Sequence, residues 1–325
     1  MNKPKKVISR DEPGRLDPEI QQFVNRMSEG WKQYPSLDSV GIEEARRIAE
    51  QVRAPFASGG PEMARTSEVF VEAPDGPVRI RIYDPNDAES KPALAYVHGG
   101  GWTIFSIDTH DRVMREYAAR TGMIVIGVDY SMSPESRFPR AIVEITAIMR
   151  WLERSGKEYR IDPTRLALGG DSAGAAMTIS ACVSLRDEGL PHLVKAMLLN
   201  YGAFDPSCSN ESHQRFGSGG FMWSPGEMAS FWSNYLGESP PTEPLACPIY
   251  ADVRDLPPAY SAVPDCDVMF EEALAMAERL RCHGVYSHVA IYAGATHSFL
   301  EAVSMARISD RAFDEAARWL TDTLG

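Results

Sequence analysis

Apolar residues recur at helical spacing twice within the first 56 positions. Ile20, Phe23, Val24, Met27 and Trp31 form one stripe. It follows Asp17-Pro18, which reads as an N-cap with proline at the first helical position. Ile42, Ala45, Ile48, Ala49 and Val52 form a second stripe, with Glu43, Glu44, Arg46 and Arg47 opposite, and Pro55 is expected to stop that helix. Ala57 to Arg65, with Gly59-Gly60-Pro61 inside it, reads as a linker. The period then drops to two. Val69-Phe70-Val71 and Val78-Arg79-Ile80-Arg81-Ile82-Tyr83, joined through Pro74-Asp75-Gly76, predict an antiparallel hairpin.

From there short apolar runs alternate with helical stripes. Strands are expected at Ala93 to Val97, Met123 to Val128, Leu166 to Leu168, Ala196 to Leu199, Ala259 to Val263 and Val289 to Tyr292. Helices are expected through Ile142, Ile145, Ile148, Met149 and Leu152, and across about 175–187, 269–283 and 309–324. Such an order implies an α/β fold: a mostly parallel central sheet, helices on both faces and the hairpin at one edge. About 205–241 break the rhythm with no strand pattern but with Phe221, Met222 and Trp223, then Ser224-Pro225 opening a helix that carries Phe231, Trp232 and Tyr235. An aromatic helical insertion after a core strand reads as a cap. The expected organisation is therefore a helical cap segment over 1–56 and a catalytic α/β domain over 57–325, interrupted by the insertion at about 205–241.

The chain has 325 residues, 44% hydrophobic and 24% charged, enough for a large core. Its net charge of −12 argues against nucleic acid or an anionic membrane as partner. The basic start Met1-Asn2-Lys3-Pro4-Lys5-Lys6 is not followed by an apolar run of leader length, and no stretch has the ~18 apolar residues of a membrane span. Five widely spaced cysteines (Cys182, Cys208, Cys247, Cys266, Cys282) read as buried free thiols in a reducing compartment. The expected location is the cytoplasm.

Candidate chemistry begins where the Leu166 to Leu168 strand runs into Gly170-Asp171-Ser172-Ala173-Gly174. Gly-x-Ser-x-Gly between strand and helix is the context of a nucleophile elbow, whose tight turn exposes the serine hydroxyl. The pattern alone arises by chance in about one chain in ten of this length, so its surroundings must decide. After the Ala93 to Val97 strand comes His98-Gly99-Gly100-Gly101-Trp102, where consecutive glycines let backbone N–H groups turn toward a ligand. Gly99, Gly100, Gly101 and Ala173 are the expected donors to an oxyanion, with His98 and Asp171 as supporting motif positions. Downstream, Asp267 and His297 each follow a strand, in the serine–acid–histidine order of α/β-hydrolases. Asp265 lies in the same loop as Asp267, and spacing alone does not separate the two. For His110, His192, His213, His283 and His288 a solvated or structural role is expected. No metal-ligand spacing and no phosphate-cradling loop is present in the sequence, so neither metal nor cofactor is expected.

On these residues the chain resembles the bacterial branch of the hormone-sensitive lipase family of α/β-hydrolases, and within it the acetyl esterases. The resemblance covers roughly 65–322. It is carried by His98-Gly-Gly-Gly-Trp102, Asp108-Thr109-His110-Asp111-Arg112, Asp129-Tyr130 with Pro134-Glu135 and Phe138-Pro139, Gly170-Asp-Ser-Ala-Gly174 and Gly294-Ala-Thr-His297-Ser-Phe299-Leu300. The chain departs from the family at Ser131-Met132-Ser133, where Arg-Leu-Ala is usual, at Trp102, where Phe is commoner, and in Asp267-Val-Met-Phe-Glu271-Glu272. The resemblance implies a serine carboxylesterase with a helical cap, acting on small acetyl-type esters. It registers Asp267 as the acid and makes a homodimer the expected assembly. Trp102, Phe221, Trp223, Phe231 and Trp232 are the expected pocket rings. An amidase or lactonase on the same triad is the alternative reading. The plant gibberellin receptors, which resemble this family but lack the triad histidine, differ from this chain at His297.

Overall fold

The computed structural model describes residues 14–325, so the basic start of the chain lies outside the described residues. Two helices come first, α1 (Pro18–Trp31) and α2 (Ile42–Ala57). Asp17 caps α1 by accepting from Glu19 N at 2.7 Å, and Ile20, Phe23, Val24 and Met27 are its buried stripe. Pro55 does not end α2. It sits in the last turn, where only one backbone bond is lost, and the helix holds because Phe56 packs edge-on against Phe23, ring centroids 5.1 Å apart.

The strands are β1 (Arg65–Ala73), β2 (Gly76–Asp84), β3 (Lys91–Val97), β4 (Ile124–Asp129), β5 (Ile161–Asp171), β6 (Ala196–Asn200), β7 (Ala259–Pro264) and β8 (Ser287–Tyr292). They form one eight-stranded sheet in the order β1-β2-β4-β3-β5-β6-β7-β8. β1 and β2 pair antiparallel with Ala73 opposite Gly76, β2 joins β4 antiparallel, and β3 through β8 run parallel. The α/β class, the mostly parallel sheet and the hairpin at its edge are as the patterning implied.

Between the strands lie α3 (Asp111–Thr121), α4 (Arg140–Ser155), α5 (Ala173–Asp187), α8 (Phe270–Cys282) and α9 (Arg307–Leu324). Two short helices fall in the irregular stretch, α6 (Glu211–Phe216) and α7 (Pro225–Leu236), the latter opened by a capping box between Ser224 and Glu227. Helix α3 is not anticipated by the patterning above, although Val113, Met114, Tyr117 and Ala118 are buried at helical spacing. Its arginines fasten the linker before β1: Arg115 donates to the carbonyls of Pro61 and Gly59 at 2.6 and 2.7 Å, and Arg112 to that of Ser58 at 3.0 Å. All five cysteines are free, and Cys182, Cys247 and Cys266 are buried, but Cys208 is half-buried and Cys282 exposed on the last turn of α8.

The centre of the molecule is the junction of β3, β5 and α5. A side-chain carbon at Gly170 or Gly174 would collide with the carbonyl oxygen of Val97, the last residue of β3. Strand, turn and helix can meet this closely only because both positions are glycine. Gly174→Ala would press a methyl on backbone rather than on a yielding side chain. Overpacking of this kind costs about 1–3 kcal/mol. A thermal melt is expected to show that loss, together with reduced activity; wild-type melting in this variant would show that the junction has slack.

Candidate active site

Ser172 stands at the turn between β5 and α5 with φ 55° and ψ −120°, a left-handed conformation that a residue with a side chain rarely adopts. The surroundings enforce it. Ser172 N donates to Asn200 O at 2.9 Å, and Ser172 O accepts from Ala175 N at 3.1 Å and Ala203 N at 3.2 Å. His297 lies in the loop after β8, 2% exposed, and its Nδ1 is 2.8 Å from Oδ2 of Asp267, which is 1% exposed. Since a carboxylate only accepts, Nδ1 carries the proton and Nε2 is left to accept. Ser172 and His297 line the same cleft.

The two aspartates of the β7–α8 loop have separate tasks. Asp267 takes His297 on one oxygen and the N–H of Met269 on the other at 3.1 Å. Asp265 accepts from Gly294 N at 2.7 Å and from the Cys266 thiol at 3.3 Å, which makes it a brace between its own loop and the one that carries His297. Thr296 Oγ1 adds a bond to Cys266 O at 3.0 Å, so the loops carrying acid and base are stitched together beneath them.

The glycine loop is built differently from the sequence expectation at one position. Gly99 N donates to Asp171 Oδ1 at 3.1 Å. That N–H is committed to the elbow and is not available to an oxyanion, a correction to the set that included Gly99. It leaves Gly100, Gly101 and Ala173. Each peptide plane of the loop is held from its carbonyl side. Gly99 O accepts from His98 Nδ1 at 2.7 Å, and Gly100 O accepts from Thr103 N and Ile104 N, both at 3.0 Å. Gly101 O accepts from Thr103 Oγ1 at 2.9 Å, and Trp102 O accepts from Ser133 N at 2.8 Å and Ser133 Oγ at 3.1 Å. Because a peptide is planar, fixing each C=O aims the N–H on its far side. Ala173 N–H is the first of α5, without a partner inside the helix and at the end that favours negative charge.

Two histidines stand behind this loop, and their surroundings shift them in opposite directions. Burial and the neighbouring His110 push His98 down to about 3, so it is neutral, and it stacks on Tyr130 with ring centroids 4.4 Å apart. His110 is also buried, but the Asp171 carboxylate, 3.4 Å from its Nε2, outweighs that burial and raises its pKa. For Asp171 the same attraction overcomes burial in the opposite direction and holds the carboxyl below its usual range, helped by Tyr96 OH donating at 2.9 Å.

Comparison with known proteins agrees with this geometry. A family model described as the alpha/beta hydrolase fold matches residues 94–301. The acetyl esterase of Salmonella agona is 32% identical over 311 residues, covering 94% of each chain. The chain belongs to the α/β-hydrolase family, in its hormone-sensitive-lipase-like branch. Among solved structures, an α/β hydrolase from the metagenome of Lake Arreo superposes with a TM-score of 0.89 at 30% identity, covering 95% of this chain and 98% of that one. A thermostable esterase from Pseudomonas putida also reaches 0.89, at 27% identity, covering 97% and 99%.

In this α/β-hydrolase the cleft over Ser172 is narrow, about 350 Å³ only when its open mouth is counted. Of the expected rings, Trp102, Trp223 and Phe231 line it. Phe221 does not; it packs edge-on against Phe216, centroids 4.9 Å apart. Trp232 does not either. One residue on from Phe231 turns it by about 100° around the helix, and its ring lies against Trp102 at 4.3 Å and beside Tyr235. Phe105, His110, Ala203, Met228 and Ser298 line the cleft unforeseen. Met228 was legible, one turn before Phe231 on α7; Phe105 and Ala203 sit in aperiodic loops that carry no such signal. Among the described residues no group of three or more His, Cys, Asp or Glu is placed to hold a metal, and no helix is long and apolar enough to cross a membrane.

The geometry separates the two aspartates experimentally. Asp267→Asn presents His297 with the wrong partner, a change worth about 10⁴ in kcat in a serine protease triad. Asp265→Asn keeps His297 paired and is expected to cost at most about tenfold on that scale. Steady-state kinetics on both variants, folded by circular dichroism, test the assignment; the reverse order would refute it.

Proposed function

We propose that this carboxylic ester hydrolase cleaves short-chain, acetyl-type esters through an acyl-enzyme on Ser172. The observation that carries the reading is the buried 2.8 Å pairing of His297 Nδ1 with Asp267, on a histidine that shares its cleft with Ser172. His297 Nε2 takes the Ser172 proton as the hydroxyl oxygen attacks the ester carbonyl, and Asp267 stabilises the imidazolium that forms. The carbonyl oxygen, now negative, is held by the N–H groups of Gly100, Gly101 and Ala173. A donor of this kind is worth about 10²–10³ in kcat. Collapse of the tetrahedral intermediate expels the alcohol, which receives its proton from His297. Water then repeats the sequence on the acyl-enzyme and releases the acid.

Acyl size follows from the rings. Phe231 lies so close over the oxyanion loop that a side-chain carbon at Gly101 would collide with its ring. Trp102, Phe105 and Trp223 close the remaining sides of the cleft. Helices α1 and α2 with the insertion at about 205–241 act as the cap that brings these rings down. The reading includes a cytoplasmic setting, supported by five free thiols, and a homodimer as the assembly that the family resemblance implies.

A panel of nitrophenyl esters tests the acyl preference. Acetyl and butyryl esters are expected to give the highest kcat/KM, and Ser172→Ala to lose activity by several orders of magnitude. Phe231→Ala is expected to raise kcat/KM for octanoyl relative to acetyl ester by at least about tenfold, the low end of what one methylene is worth in an apolar pocket. A wild type that prefers ten-carbon chains, or an unchanged ratio in Phe231→Ala, would contradict the reading.

A further inference from the structure

Arg53 lies in the C-terminal part of α2 and is 1% exposed, an unusual place for a guanidinium. Its Nη1 pairs with the carboxylate of Glu301, itself 4% exposed, and its Nη2 donates to Ser298 Oγ at 3.3 Å. Its guanidinium carbon stands 4.5 Å from the centroid of Phe105. These partners come from two different loops, that of His297 and the one that follows β3. Ser298 directly follows His297, and Glu301 N donates to Ser298 O at 3.0 Å, so Arg53 grips both ends of the turn behind the histidine. Phe105 belongs to the glycine-loop side, next to Ile104, whose N–H holds Gly100 O. Ser298 and Phe105 both line the cleft, and both are left-handed, with φ 59° and 71°.

The pair is a poor stabiliser. Beyond the contact with Glu301 and the bond to Ser298, Arg53 Nε is buried with no hydrogen-bond partner among the described residues. A buried ion pair whose remaining polar sites go unmatched seldom repays its desolvation, and apolar replacements of similar volume are often neutral or stabilising. Stability therefore does not account for Arg53, and its position between the two halves of the site does. Arg46, two turns earlier on the same face of α2, repeats the arrangement on the glycine-loop side by donating to Thr103 O and Ser133 O, both at 2.9 Å.

We propose that Arg53 is a positioning residue that fixes the His297 turn and Phe105 against α2, so that the N-terminal helix sets the alignment of the catalytic base. The proposal rests on the role given above to His297. It assigns α2 a part in turnover as well as in covering the cleft: an outward movement of the helix would draw the turn behind His297 with it.

The test pairs Arg53→Met/Glu301→Leu with Arg53→Lys, in the full chain. Removing both charges is expected to leave the melting temperature equal to or above wild type. With 4-nitrophenyl acetate, kcat should fall at least about tenfold, as a displaced catalytic group does, with KM within about threefold. The rate at which a nitrophenyl phosphonate derivatises Ser172 should fall by the same factor as kcat, because it reads the Ser172–His297 pair without deacylation. Arg53→Lys keeps the charge opposite Glu301 but loses the planar fork that reaches Ser298 while covering Phe105. It should fold, and lose kcat and phosphonylation rate together. A double variant as stable as wild type with wild-type kcat overturns the proposal. If the double variant does not fold, Arg53→Lys with unchanged kcat and phosphonylation rate overturns it equally. Ser172→Ala keeps the readings distinguishable: activity there would refute the acyl-enzyme itself, whereas an inactive Ser172→Ala beside unimpaired Arg53 variants refutes the coupling alone.

Discussion

The closest approach in the molecule that matters for chemistry is the carbonyl of Val97 lying against Gly170 and Gly174. It sets the end of β3 directly on the turn that carries Ser172, so the loop leaving β3 must pass over the nucleophile. Asp171 completes the contact. Its side chain reaches back to Gly99 N, and both His110 and Tyr96 hold it in place. The Ser172 turn and the glycine loop are therefore one packed unit, and the backbone strain at Ser172 is sustained by that packing.

The same logic accounts for the second half of the site. An oxyanion hole works because its donors are aimed before charge develops, so no reorganisation is needed at the moment of reaction. In the proposed site the two glycine N–H groups are aimed from behind, Gly100 N by the bond from His98 to Gly99 O and Gly101 N by those from Thr103 and Ile104 to Gly100 O, while Thr103 and Ser133 hold the next two carbonyls of the loop. Ser133 gives one departure from the family pattern a physical meaning. Alanine there would lack the hydroxyl bond to Trp102 O, and this chain adds it. The neutral state of His98 suits its task, since a single Nδ1–H is all that Gly99 O requires.

Period and punctuation made most of the scaffold legible. Each strand expected from an apolar run overlaps an observed strand, with Met123 alone falling outside, one residue before β4, and the hairpin turn at Pro74-Asp75 joins the strands it separates. The sheet order was not legible from periodicity, because β4 sits between β2 and β3 and a strand's own pattern does not name its neighbours. The misses share a cause. Pro55 was outvoted by Phe56 packing, Gly99 was committed to a partner 72 positions away, and Trp232 faced inward by one step of helix rotation. His110 read as a solvated or structural histidine, and nothing in the pattern singled out Arg53, until the fold placed each against the cleft. Local pattern reports which face is buried; it does not report what that face meets.

The account turns on Ser172 accepting the acyl group while the pinned loop holds the oxyanion. Rapid acid quench of the protein mixed with an activated acetyl ester, followed by intact mass and peptide mapping, measures this directly. The account predicts a transient adduct of one acetyl group per chain, on the peptide containing Ser172, that forms and decays at rates compatible with kcat. Turnover with no adduct on that peptide, or an acetyl group that accumulates on another side chain at a kinetically competent rate, would contradict it.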